Sequence, residues 1–97
     1  MNPKVCEAIS KRAKMKVWYN GGTRIIEPHC HGVSTAGNEV LAAFQTSGHS
    51  NSGKPFEWKF FDVSKMQQVE ILNETFKDNR PLYNPNDKRM TSIHCHV

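Results

Sequence analysis

The chain has 97 residues, a formal net charge of +4 and three cysteines. That length makes one domain with a single small core. No stretch approaches the roughly 20 apolar residues that cross a bilayer, so a membrane-spanning helical protein is excluded.

The first element in chain order is a helix. Asn2-Pro3 offers an N-cap acceptor followed by proline at the first helical position, and Val5, Ala8 and Ile9 recur at helical spacing. Residues 3 to 13 are expected to form one short amphipathic helix, with Lys4, Lys11 and Lys14 on its polar side. From Met15 the period changes to two: Met15, Val17 and Tyr19 alternate with Lys16, Trp18 and Asn20. Asn20-Gly21-Gly22 supplies residues that tolerate positive φ and predicts a hairpin. Residues 23 to 27 return as a second strand, which ends, bulges or becomes an edge at Pro28 because proline cannot donate to a ladder. Gly32 to Ser34 opens a further strand and Thr35-Ala-Gly-Asn38 a turn. In Glu39 to Thr46 both alternating sets are apolar, the pattern of a central strand covered on both sides. Ser47 to Pro55 reads as a loop. Phe56 to Val63 reads as an aromatic strand. A helical turn from Ser64 and a last strand at Val69-Glu-Ile-Leu72 compete with a single helix over residues 64 to 76, and the β-branched Val69 and Ile71 favour the turn and strand. Beyond Phe76 the breakers in Asp78-Asn-Arg-Pro81 and Tyr83-Asn-Pro-Asn-Asp-Lys-Arg89 indicate a tail that either wraps the barrel or is loose.

The expected architecture is therefore mainly β: a small SH3/Sm-like barrel of about five strands with a short N-terminal helix. Its divisions are a helix over 1–14, a barrel over 15–76 and a tail over 77–97. The order Tyr19, Gly22, Arg24, Glu27-Pro28, Leu41-Ala42-Ala43-Phe44, Trp58-Lys59-x-Phe61, Val69 and Phe76 resembles the WYL family, small β-barrels found mostly in prokaryotic regulators. The resemblance covers about residues 15 to 76, although Glu39-Val40-Leu41 stands where the tripeptide that names the family would be. It implies a free-standing, non-enzymatic regulatory or ligand-sensing module. Such a module would bind single-stranded nucleic acid or a nucleotide-like ligand and modulate a partner protein.

The residues that fit such binding are Tyr19, Phe44 and Trp58 as stacking rings and Arg24 and Lys59 as phosphate cations, since aromatic faces hold bases and cations follow the backbone. Trp58 shares a face with Phe56 and Phe60, which suits a core ring equally well. Alternation puts Arg24 on the same face as Ile26, where it needs a partner, and Glu27 is a candidate. The basic excess lies in the first third of the chain, which carries Lys4, Lys11, Arg12, Lys14, Lys16 and Arg24 against Glu7 and Glu27. It serves either as a phosphate-attracting patch or as a solvated face.

Four of the five histidines sit in two copies of one tripeptide, His29-Cys30-His31 and His94-Cys95-His96. In an extended strand His29 and His31 face one way and Cys30 the other. Two such pairs brought together would offer His29, His31, His94 and His96, or mixed nitrogen and sulfur ligands, to zinc or copper. Gly48-x-x-x-x-Gly53-Lys54 has the opening of a phosphate-binding loop but continues into Pro55 and a strand, not a hydroxyl residue and a helix, and so reads as a flexible β–β connection. No close carboxylate pair or ordered nucleophile and base points to catalysis.

With no apolar leader near Met1, the three cysteines are expected as reduced thiols in a cytoplasm. A homodimer is expected from the exposed edges of a small barrel. The rival readings are a zinc-binding protein built on the His-Cys-His pairs, and a protein–protein adaptor or inhibitor linked to a defence system or a mobile element.

Overall fold

A computed structural model describes residues 3–50, 53–54, 56–84 and 87–97. The expected cap at Asn2 and the breakers Pro55 and Pro85 lie outside them. Helix α1 (Pro3–Lys11) is followed by strands β1 (Ala13–Tyr19), β2 (Gly22–Ser34), β3 (Glu39–Gly48) and β4 (Glu57–Asp62). A 3-10 turn (Val63–Lys65), β5 (Gln67–Thr75) and β6 (Met90–His96) complete the order. All pairings are antiparallel. The sheet runs β4-β3-β2-β1-β5, and β6 lies beside the far half of β2.

The mainly β class with one short helix is what the residue pattern predicted, with six strands in place of about five. The sixth falls in the stretch read as a tail. Met90–His96 is largely polar and mostly exposed, so neither alternation nor an apolar run marks it. It is held by β2, whose pairs with it include Cys30 with His96, His31 with Cys95 and Val33 with Ser92. Gly32 permits this approach, because a Cβ there would collide with the Ser92 carbonyl oxygen.

The hairpin between β1 and β2 turns on Asn20 (φ 46°) and Gly21 (φ 102°), with Tyr19 opposite Gly22. Two consecutive positive φ values are the requirement of a turn that matches strand twist. Pro28 does not end its strand. The β2–β3 register slips between Pro28 and Cys30, so the missing N–H is absorbed by a bulge at His29. Helix α1 stops at Lys11 rather than at 13, because Arg12 takes a left-handed conformation (φ 51°) while its N–H still reaches the Ile9 carbonyl at 3.1 Å.

The sheet has two covered sides. On the inner side α1 buries Val5, Ala8 and Ile9 against Met15, Val17, Ile26, Leu41, Ala43 and Phe61. On the outer side residues 76–84 fold back over β2, β3 and β4. Their anchors are Arg80 on Glu27, a Trp58 indole N–H donated to the Pro81 carbonyl at 2.7 Å, and Phe76 and Tyr83 against the His29 ring. Both faces of β3 are thus occupied, as its doubly apolar pattern required. No helix is long and apolar enough to cross a membrane among the described residues.

Candidate ligand groove and sulfur–imidazole centre

The bulge at His29 decides which side chains meet. Strict alternation would put His29 and His31 on one face. The extra residue instead sends His29 outward with Cys30 and leaves His31 inward. The expectation that the two histidines act together is corrected on that ground.

On the outer side His29 is fully buried among rings. It stacks on Phe76 (centroids 5.0 Å apart) and meets the edge of Trp58 at 4.9 Å. Nδ1 donates to the Glu27 carbonyl at 2.8 Å, and Nε2 accepts the Arg80 backbone N–H at 3.2 Å. Both ring nitrogens are used, so no lone pair is left for a metal. Burial holds the imidazole below the usual histidine range, partly opposed by Glu27. Beside it the Glu27 carboxylate, 2% exposed, takes Arg80 in a fork, Nε to Oε1 at 2.6 Å and a terminal nitrogen to Oε2 at 3.1 Å. Glu27 is therefore the partner of Arg80 and not of Arg24.

The five residues expected to form one binding face are divided. Phe44 and Trp58 stand on the outer side, edge to face at 5.7 Å. Tyr19 and Arg24 stand on the inner side at the hairpin end. Arg24 is only 4% exposed, with its guanidinium 5.2 Å from the Tyr19 ring centre and 5.7 Å from that of Phe61. A terminal nitrogen donates to the Gln45 side-chain carbonyl at 3.3 Å. Nε has no hydrogen-bond partner among the described residues. Desolvation lowers the Arg24 pKa, against the opposing pull of Tyr19. Lys59 alternates with Trp58 and Phe60, and its ammonium meets Glu57 at 2.7 Å and Ser50 at 3.0 Å. A single ligand cannot be gripped by Arg24 through the sheet and stacked on Trp58 behind it. The basic excess of the first third is likewise spread out: Lys11 pairs with Glu7, Lys14 lies 3.8 Å from both Glu27 and Glu74, and Arg12 reaches the Lys77 carbonyl and Asn79.

What the outer side does offer is a groove of about 430 Å³ between β4 and the returning segment. Its lining includes Trp58, Lys59, Phe60, Tyr83, Asp87 and Arg89. The Trp58 and Tyr83 rings lie nearly parallel at 6.1 Å, and the Arg89 guanidinium sits 4.2 Å over the Phe60 ring, held by Asp87 at 2.6 Å. Burial pushes the Tyr83 phenol up to about 12. Leu82, at 92% exposure, projects from the rim. Tyr83 and Arg89 were missed in the sequence because both fall among the breakers of the apparent tail.

The inner side carries the second constellation. Cys6 of α1 and Cys95 of β6 are joined in a disulfide, with Cα atoms 5.7 Å apart. This corrects the expectation of three reduced thiols. Only Cys30 is free, buried on the outer side, where desolvation raises its pKa. Over the disulfide lies His31, fully buried, with Nδ1 at 3.6 Å from the Cys6 sulfur and 3.9 Å from that of Cys95. Its Nε2 meets the Glu39 carboxylate at 2.8 Å, and the other Glu39 oxygen meets His94 Nε2 at 3.1 Å. Of the four histidines expected as ligands, His31 and His94 meet through Glu39 (ring centres 5.2 Å apart), His29 lies across the sheet, and His96 is exposed against the Val97 carbonyl.

Compared with known proteins, the chain finds no match among family profiles, curated proteins or solved structures.

Proposed function

We propose that this chain is a non-enzymatic regulatory module of WYL-like type that takes a nucleotide unit, free or within a single strand, into the groove lined by β4 and by residues 82–84, Asp87 and Arg89. The observation that carries this reading is the groove itself. Trp58, Phe60 and Tyr83 bring three ring systems to one cavity whose volume of about 430 Å³ suits a small ligand, and Arg89 places a cation in its lining. A base stacked on an aromatic ring contributes roughly 1–3 kcal/mol. Arg89 supplies a fork suited to phosphate once Asp87 releases it. Modulation of a partner protein, pairing of two copies along the outer edge of β4 and a cytoplasmic setting belong to the same proposal.

The test is titration of Trp18→Phe protein, in which Trp58 is the sole indole, with nucleoside monophosphates and with a short single-stranded oligonucleotide. Tryptophan quenching that weakens with salt, and that falls about tenfold or more in Tyr83→Ala, supports the proposal. Quenching by the monophosphate alone identifies a free nucleotide as the ligand, and tighter binding of the oligonucleotide identifies a strand. No binding of either at low salt overturns it.

A further inference from the structure

The histidine on the inner side has an arrangement that a disulfide leaves unused. Glu39 is an acceptor, so His31 Nε2 carries the proton that bridges them at 2.8 Å. Nδ1 is then a bare lone pair. It is enclosed, and the groups in front of it are the two sulfurs of Cys6 and Cys95. A disulfide has no proton to give that lone pair. A thiol does, and a metal ion uses it directly. A carboxylate on the far nitrogen of an imidazole is also the arrangement that fixes tautomer and ring orientation in histidine–metal sites, and it raises the basicity of the ligating nitrogen.

Three elements converge to build the site. Cys6 comes from the helix, His31 from the inward half of β2 beyond the bulge, and Cys95 from β6. Their ligand atoms all lie within 4.8 Å of one another. Two sulfurs bound to one tetrahedral zinc at about 2.3 Å each lie roughly 3.8 Å apart. With Cα atoms 5.7 Å apart, opening the sulfur–sulfur bond to that distance calls for side-chain rotation and no rearrangement of the strands. Thiolate and imidazole ligands together suit zinc.

We propose that the reduced chain binds one zinc ion through Cys6 Sγ, Cys95 Sγ and His31 Nδ1, with Glu39 as the positioning carboxylate, and that formation of the Cys6–Cys95 disulfide expels the ion. A solvent molecule completes the tetrahedron. Loading replaces the two thiol protons, which leave to solvent. Discharge is a two-electron oxidation: thiol–disulfide exchange with a low-molecular-weight disulfide joins the two protein sulfurs, reduces the small disulfide to two thiols that take two protons from solvent, and frees the zinc. His94 is outside the ligand set, because neither of its ring nitrogens belongs to the group of ligand atoms that lie within 4.8 Å of one another. Cys30 is outside because it lies on the other face of β2. The site differs from the four-histidine arrangement that the repeated tripeptide suggests, and it draws one ligand from a helix far away in the chain. It does not depend on the outer groove.

The experiment uses the full chain without an affinity tag. One portion is kept oxidised. The other is reduced with a water-soluble phosphine, in which disulfide, phosphine and water give two thiols and the phosphine oxide, and is then desalted without oxygen. Both are titrated with cobalt(II), whose thiolate charge-transfer and ligand-field bands report sulfur in a tetrahedral field, and then with zinc against a chromophoric chelator. The expected result is one equivalent bound by the reduced chain, displacement of cobalt by zinc, and none bound by the oxidised chain. Cys30→Ser should bind as the parent does, Cys6→Ser and Cys95→Ser should lose the thiolate bands, and Glu39→Gln should bind about 10- to 100-fold more weakly. The contrast between the two redox states of the parent chain stands even where a cysteine variant fails to fold. No uptake by the reduced chain overturns the proposal, as do equal uptake by the oxidised chain or loss of binding in Cys30→Ser.

Discussion

His29 and His31 are two residues apart on one strand, equally buried, and opposite in chemistry. The first spends both nitrogens on backbone groups and packs among rings, so it is a structural pin that ties residues 76–84 to the sheet. The second spends one nitrogen on Glu39 and turns the other to a pair of sulfurs. A one-residue bulge beside Pro28 separates these fates. Identical tripeptide surroundings do not give identical roles: the backbone register decides which histidine is consumed by the fold and which keeps a lone pair for a ligand.

That contrast can be broken at several points. The largest effect on stability is expected from the sulfurs. A bridge closing a loop this long removes on the order of 4–5 kcal/mol of chain entropy from the unfolded state, so reduction in the presence of a chelator should lower the midpoint of thermal unfolding by more than about 10 °C. Scanning calorimetry of oxidised and reduced protein checks this, and equal midpoints would mean that the bridge does not hold the two ends of the chain together.

Next comes the outer pin. Arg80→Ala leaves the Glu27 carboxylate buried, with Lys14 at 3.8 Å as its remaining cation among the described residues. Glu27 is buried but the Arg80 side chain is 30% exposed, so losing the pair costs about 1–3 kcal/mol, below the figure for a fully buried ion pair. The urea midpoint should fall accordingly, and limited proteolysis should cut residues 76–84 first. Gly32→Ala should cost less overall but act locally. The methyl group forces β6 from β2, so amide exchange should quicken at 92–96 while the β1–β2 hairpin is unaffected.

The smallest effect is the pH dependence. Burial lowers the pKa of His29 in the folded chain, whereas the unfolded chain binds that proton near pH 6.5. Stability is thus fully present above about pH 6.5, falls as pH drops through that value and levels off below the folded-state pKa. His31 is shifted in the same direction by burial, partly opposed by Glu39, and steepens the fall. Urea titrations across that range should show a shallower slope in His29→Leu, even though that variant is less stable throughout.

Much of the frame was legible in the residues. The helix over Val5, Ala8 and Ile9, the Asn20-Gly21 hairpin, the doubly apolar β3, and the turn then strand after Asp62 follow from period and turn chemistry, which act within a few residues. Three features were not legible. Met90–His96 has too little apolar character to declare itself a strand and owes its conformation to β2. Three cysteines allow three pairings, and nothing local says that Cys6 of a helix meets Cys95. Arg24 and Trp58 both fall on strands that the sequence predicts, yet the pairing of those strands places their side chains on opposite sides of the sheet. Each of these is a long-range consequence of how the strands pair.

Amide chemical-shift mapping of the reduced chain, with zinc added in one titration and a nucleoside monophosphate in another, tests the two-sided account most directly. Zinc should move Cys6, His31, Glu39 and Cys95 and spare His29, whereas the nucleotide should move Trp58, Phe60, Tyr83 and Arg89. Zinc shifts centred on His29 or confined to the exposed His96, or one common set of residues moved by both, would contradict it.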